Sequence, residues 1–272
     1  MVLAMSLIPL GDTAGKLMTQ VGVAPFFIAW ARFALGGLML LPVRRAKVWE
    51  DLKLLGNWRV WLRGLLIVAG ISSILTALRT EPIALVFGAF FVGPMISYLL
   101  SALFLGERLT LWRSLMMIIG FGGVLLVVKP GFGMTPGLPF AVMAGVFYGA
   151  YLVTNRWLAG DMNPTALLLS QLVIGALVLA PVGVFLVPGL DGQIILLLAL
   201  SAGASMLGNL LLLRAYQSAQ ATVLAPLVYF QLIAATLFSV LVFDDIPDGY
   251  AFLGMALLIV SGVLSLRDRT QG

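Results

Sequence analysis

The sequence predicts an all-α integral membrane protein: ten transmembrane helices as two inverted five-helix repeats, with the N- and C-termini cytoplasmic. Three observations predict it. Of 272 residues, 61% are hydrophobic and only 10% charged, where a soluble domain carries about 25% charged residues. The apolar stretches approach the roughly 20 residues that a helix needs to cross a bilayer. The two halves of the chain also match each other at an offset of about 138 residues. Ten spans take roughly 200 residues, which leaves no room for a separate extramembrane domain.

The spans follow in order. The first half gives 1–19, 24–43, 60–78, 82–105 and 111–128, and the second gives 138–158, 164–186, 194–213, 221–243 and 249–266. Lengths near 20 argue for helices, because barrel strands are about 10 residues long and alternate polar with apolar. The first span starts at Met1, lacks a basic leading region and carries charges at its middle, so it does not read as a cleavable signal peptide. Pro25, Pro42, Pro82, Pro136, Pro164, Pro181 and Pro188 sit near span ends, where a missing N–H does least harm. Pro94 and Pro226 fall inside the fourth and ninth spans and mark expected hinges, and Pro9 falls inside the first.

Basic residues set the orientation. With a cytoplasmic N-terminus, the inner side holds Arg44, Arg45, Lys47, Lys53, Arg59, Arg63, Arg108, Arg113, Arg156, Arg214, Arg267 and Arg269. The outer side holds Arg79 and Lys129. That is the positive-inside asymmetry, and it makes the net charge of +5 a topology signal. Nothing supports a nucleic-acid partner, because no soluble basic domain exists. The expected partners are the lipid bilayer and a small organic solute, the protein acting as a monomer or a homodimer in a plasma membrane, the bacterial inner membrane.

The internal repeat gives the domain division 1–132 and 133–272. Gly11 falls on Gly149, Ala84-Leu85-Val86 on Ala221-Thr222-Val223, Gly106-Glu107-Arg108 on Phe243-Asp244-Asp245, and Gly123-Val124-Leu125 on Gly262-Val263-Leu264. Five spans per half, an odd number, force the halves to insert with opposite orientation, an arrangement associated with secondary transporters. Gly11-x-x-x-Gly15 and Gly145-x-x-x-Gly149 read as sites of close helix packing.

Three charges remain inside the spans: Asp12, Lys16 and Arg32. Each costs about 2.5–3.5 kcal/mol at a helix centre on insertion scales, so lipid exposure is disfavoured. Asp12 and Lys16, four residues apart, share one face and can pair. Two readings stand for them: a substrate or ion site on a central cavity, and a mutually neutralising structural pair. Arg32 is either an anion clamp or a structural group that pairs with Asp12. Tyr148, Tyr151 and Asn155 follow one face of the sixth span, and Gln171, Asn209, Tyr229 and Gln231 lie where hydrocarbon would penalise them. Individually these suit helix–helix hydrogen bonds; together they form a polar, aromatic lining. Arg79 and Glu81 read as an outer turn or a gate.

The ordered set of motifs resembles the EamA-type transporters of the drug/metabolite transporter superfamily, along essentially the whole chain. It comprises Asp12-x-x-x-Lys16, Arg32-Phe33, Arg63-Gly64, Phe104-Leu105-Gly106-Glu107-Arg108, Gly120-Phe121-Gly122-Gly123-Val124 and Lys129-Pro130. A weaker version, Ala221-Thr222-Val223-Leu224-Ala225-Pro226, recurs in the second half. Within the superfamily the chain is most similar to the S-adenosylmethionine uptake branch. The resemblance implies a central cavity lined mainly by spans one to four and six to nine. It also implies transport of a small metabolite, S-adenosylmethionine-like, riboflavin or amino-acid-related. Asp244-Asp245 departs from the family's usual Gly-Glu after the ninth span, and Glu81 from a position usually apolar or small.

The leading expectation is a secondary active transporter working by alternating access. An exporter of amino acids or toxic metabolites is the alternative within the family, and a channel lies further off because no filter motif occurs. An enzyme is not expected. With no His and no Cys, thiol chemistry, disulfides, the usual zinc ligands and a histidine relay are all missing. No nucleotide-binding loop is present and no cofactor is implied.

Overall fold

The computed structural model describes residues 1–128, 135–246 and 248–265. Lys129, Pro130, Arg267, Arg269 and the boundary at 132/133 lie outside the described residues. Among those described, the chain is helical and has no strand.

The first half runs α1 (Val2–Gln20), α2 (Pro25–Arg44), α3 (Val48–Leu52), α4 (Trp58–Leu78), α5 (Ile83–Phe90), α6 (Val92–Leu105) and α7 (Leu111–Val128). The second runs α8 (Leu138–Ala159), α9 (Pro164–Gly183), α10 (Gly192–Ser218), α11 (Ala221–Leu224), α12 (Phe230–Phe243) and α13 (Gly249–Ser265). Asn57, Asn163 and Asp191 start α4, α9 and α10 by accepting backbone N–H groups on their side chains, which satisfies donors that a helix start leaves open. Seven helical segments are long and apolar enough to cross a membrane, and α7 and α13 supply shorter apolar helices.

Two expected spans are not single helices. The fourth breaks at Phe91 between α5 and α6. Pro94 has no N–H for the carbonyl four residues back, at Phe90, and α5 ends at that residue. In the ninth, a 3-10 turn over Ala225–Tyr229 separates α11 from α12 and contains Pro226. The breaks meet: the rings of Phe91 and Tyr229 lie edge to face, 5.5 Å apart. The basic connection after α2 is folded as well. It carries α3 and a 3-10 turn, and Asp51 pairs with Arg44 at 2.5 Å.

Helices pack across the two halves. The main partners are α1 with α10, α4 with α8, α2 with α9, and α7 with α13, followed by α6 with α8 and α1 with α12. Glycines set some of these approaches. A Cβ on Gly93 would lie 2.7 Å from the Gly145 carbonyl oxygen, and one on Gly149 would collide with the Gly93 carbonyl oxygen. The backbones of α6 and α8 therefore touch, as small-xxx-small helices do.

Candidate translocation site

Arg32, on α2, joins three helices. Its Nη1 donates to Asp12 Oδ1 on α1 at 2.7 Å, its Nη2 to the Gly11 carbonyl at 2.8 Å, and its Nε to Ser201 Oγ on α10 at 3.1 Å. Both charged side chains are about 3% exposed. A carboxylate facing a guanidinium, with backbone and hydroxyl acceptors for the other N–H groups, is the arrangement in which a buried pair is tolerated.

This corrects the expected pairing of Asp12 with Lys16. Among the described residues, Lys16 makes its hydrogen bond elsewhere, to the Glu81 carbonyl at 2.9 Å, with its ammonium 4.9 Å from the centre of the Phe243 ring. Sharing a helix face did not decide the pairing. Lys16 lies one turn further along α1, where its longer side chain reaches the connection between α4 and α5. Glu81 is no solvated turn residue either. It is buried, its carboxylate accepting from Gly137 N at 3.1 Å, while Arg79 is exposed.

A cavity opens on the free side of the Asp12–Arg32 pair. Its polar wall is Asp12, Arg32, Tyr148, Ser205, Asn209 and Gln231. Its apolar wall is Ile8, Ile67, Ile71, Ile74 and Phe90. The space open to the centre of a water molecule is about 30 Å³, where a single water needs roughly 10–15 Å³. Water fits; an organic solute requires the helices to part. A smaller cleft adjoins it, sharing Arg32, Ile71, Ser205 and Asn209 and adding Gln171.

The free hydrogen-bonding groups of this cavity are specific. Among the described residues, the Tyr148 hydroxyl and both ends of the Gln231 amide are buried without a partner. Among the described residues Asp12 is engaged through Oδ1 alone, whereas all three nitrogens of Arg32 are in use. Phe90 and Tyr148 stack with ring centres 4.8 Å apart. The wall thus offers a carboxylate oxygen, an amide, a phenol and aromatic faces.

A second arginine node stands behind that wall, and the positive-inside count misplaced it. Arg63 is six residues into α4 and fully buried, so it is not one of the inner loop charges. It donates to Asn155 Oδ1 at 2.6 Å, Gln171 Oε1 at 2.6 Å, the Leu167 carbonyl at 2.9 Å and Tyr151 Oη at 3.2 Å. These tie α4 to α8 and α9. The Tyr151 hydroxyl also lies 3.0 Å from Asn209 Oδ1 on α10, connecting this node to the cavity lining.

Of the residues singled out in the sequence, the structure brings Asp12, Arg32, Tyr148, Asn209 and Gln231 to one cavity. Tyr151 and Asn155 belong to the Arg63 node. Tyr229 is packed between the Phe91 ring and α7, a Cβ on Gly120 coming 2.9 Å from its ring. Arg63, Ser201 and Ser205 were missed as site residues. Arg63 alone left a signal, a basic residue followed at once by Gly64 and an uninterrupted apolar run.

Residues 1–129 and 135–267 each match the EamA-like transporter family. The S-adenosylmethionine uptake transporter of Rickettsia bellii is 26% identical over 237 residues, covering 86% of this chain and 81% of that protein. The riboflavin transporter of Rhizobium johnstonii is 28% identical over 222 residues, with 79% and 72% covered. The pseudopaline exporter of Pseudomonas aeruginosa is 28% identical over 186 residues, with 65% and 64% covered. A protein of known crystal structure superposes with a TM-score of 0.77 at 20% identity, over 97% of this chain and 94% of that one, and so shares the fold.

Proposed function

The chain belongs to the EamA-like transporter family, as a multi-pass membrane transporter of small metabolites and not an enzyme, and from that premise we propose a secondary active mechanism. One small organic solute crosses per cycle, by alternating access of two inverted five-helix repeats, 1–132 and 133–272. Both termini face the cytoplasm of a bacterial inner membrane.

Helix packing supports the repeat. An offset of about 138 residues takes α1 to α8, α2 to α9, α4 to α10 and α7 to α13. The pairing of α1 with α10 then becomes that of α8 with α4, and both occur. Likewise α1 with α12 becomes α8 with α6, while α2 with α9 and α7 with α13 map onto themselves. A pseudo-two-fold axis in the membrane plane produces this pattern.

The observation that carries the proposed site is the cavity between α1, α2 and α10 on one side and α4 and α8 on the other. Asp12, Arg32, Tyr148, Asn209 and Gln231 contact the solute, Tyr151 and Asn155 support the wall, and Lys16 and Tyr229 act at its ends. Pro94 and Pro226 serve as hinges. With Arg32 already neutralised by Asp12, the free carboxylate oxygen and the Gln231 amide favour a solute that brings a cationic or N–H donor group and a flat polar edge. S-adenosylmethionine, or a related amino-acid-bearing solute, has that chemistry; riboflavin has the flat edge and a ring N–H but no cation. Export of a compound of the same class is the alternative, since relatives of both directions align.

The test is thermal stabilisation of purified protein by S-adenosylmethionine, riboflavin, amino acids and organic cations, followed by counterflow in liposomes. A stabilising ligand is expected to show saturable counterflow that Asp12→Asn abolishes without impairing membrane insertion. Unaltered counterflow in Asp12→Asn removes Asp12 from the site.

A further inference from the structure

The inner and outer ends of the bundle carry two unequal copies of one device, visible only when the repeat is followed residue by residue. α6 and α12 are each 14 residues long. Each ends on a left-handed residue, Gly106 at φ 64° and Asp244 at φ 54°. In each, that residue and the next return their N–H groups to one serine carbonyl: Gly106 and Glu107 to Ser101, Asp244 and Asp245 to Ser239. Serine, left-handed residue and acid all correspond at an offset of 138, which moves by one residue the sequence match of Gly106-Glu107-Arg108 to Phe243-Asp244-Asp245.

Beyond the acid the copies diverge. Glu107 reaches across to the start of the other half's broken span. Its Oε1 accepts from Ala221 N at 3.1 Å and its Oε2 from Thr222 N at 2.8 Å, with Arg156 Nε 3.6 Å away. Arg156 in turn donates to the Tyr216 carbonyl at 3.1 Å, so α6, α8, α10 and α11 meet at one carboxylate. The equivalent reach at the other end runs from Asp245 to the amides of Ile83 and Ala84. Asp245 is one methylene shorter and exposed, and among the described residues its carboxylate makes no hydrogen bond. The cation at that end is Lys16, two residues from the position equivalent to Arg156, and its ammonium donates to the Glu81 carbonyl instead.

We infer that Glu107 is the latch of the inner end and Asp245 an unfinished copy of it at the outer end, so that the cavity opens outward more readily than inward. The inference rests on the inverted-repeat reading of the function. Glu107 acts by holding α11 against α6 when the inner end is closed, and outward opening has no such pair of charge-assisted bonds to break. Asp245 leaves the outer end dependent on Lys16.

The chain has no cysteine, so single reporter thiols decide the matter without a known solute. Ile74→Cys lies near the outer end of α4 on the cavity, and Leu168→Cys near the start of α9 on the adjoining cleft. An impermeant maleimide is applied to spheroplasts for the outer face and to inverted vesicles for the inner. Lengthening the outer acid, Asp245→Glu, should slow outer labelling of Ile74→Cys about five-fold, the shift that one hydrogen bond carries. Glu107→Gln should speed inner labelling of Leu168→Cys by a similar factor. Glu107→Asp, which keeps the charge and shortens the reach, should act in the same direction. Unchanged labelling in Asp245→Glu, or in both Glu107 variants, overturns the latch. Labelling of Ile74→Cys from the inner face alone overturns the proposed orientation, while the response to Asp245→Glu still decides the latch.

Discussion

A guanidinium inside a bilayer has to be held, and the two buried arginines are held differently. Arg32 has a carboxylate, Asp12. Arg63 has, among the described residues, neutral oxygens alone as partners, from Asn155, Gln171, Tyr151 and the Leu167 carbonyl, together with the Tyr151 ring 5.1 Å away. Removing Arg63 strands several buried acceptors at once, each worth about 1–3 kcal/mol when left unpaired. Arg63→Met is therefore expected to destabilise the protein by roughly 3 kcal/mol. Arg63→Lys should fall between it and the parent, since an ammonium restores charge without the planar fork. Thermal unfolding of the detergent-purified variants reads this, and an unchanged midpoint in Arg63→Met contradicts it. Sequence alone exposed Asp12, Lys16 and Arg32, because charges inside an apolar run stand out. It did not expose Arg63, which sits where a basic loop passes into a helix, so its burial depends on how far α4 extends. Partner choice was equally out of reach: Asp12 and Lys16 share a face, but tertiary neighbours take each of them.

Among the elements, the broken helices are the proposed hinges. Each of the two breaks lies beside a proline, and the Phe91–Tyr229 ring contact couples them. Pro94→Ala restores an N–H for the Phe90 carbonyl and lets α5 run into α6. The expected result is a protein at least as stable in thermal unfolding and slower in transport, because helix propensity favours Ala over Pro by about 3 kcal/mol. Equal transport rates in the two proteins would separate the break from the cycle. Packing at the second glycine motif makes a sharper claim. A side chain on Gly145 collides with the Phe90 carbonyl oxygen and would approach Val92 at 2.8 Å, and backbone atoms have nowhere to go. Gly145→Val should lower the yield of folded protein in detergent, whereas Gly122→Val, at a glycine with open space around it, should not. These glycines were legible as packing positions from their spacing. Their partners were not, since spacing says nothing about which helix approaches.

On the scale of the whole molecule, contacts between connections sort into two sets. Lys16, Glu81, Gly137 and Phe243 meet at one end. Glu107, Arg156, Tyr216 and Ala221 meet at the other, where Gln217 also donates to the Ala159 carbonyl. The proposed ten alternating crossings would produce this division, an even count returning both termini to the same side. The basic residues then choose the side. Arg63 leaves the loop count, but Arg44, Arg45, Lys47, Lys53 and Arg59 remain within or at the edges of the connection between α2 and α4, close enough to span ends to act on insertion. Fluorescent-protein fusions at either terminus should therefore glow in the cytoplasm, and alkaline phosphatase fusions there should stay inactive. Neutralising those five residues together should give a mixed population in which part of the C-terminal phosphatase becomes active, because the remaining bias is carried by scattered single arginines. A fully cytoplasmic C-terminus after neutralisation would mean that packing between the halves, as in α1 against α10 and α4 against α8, fixes orientation without help from charge.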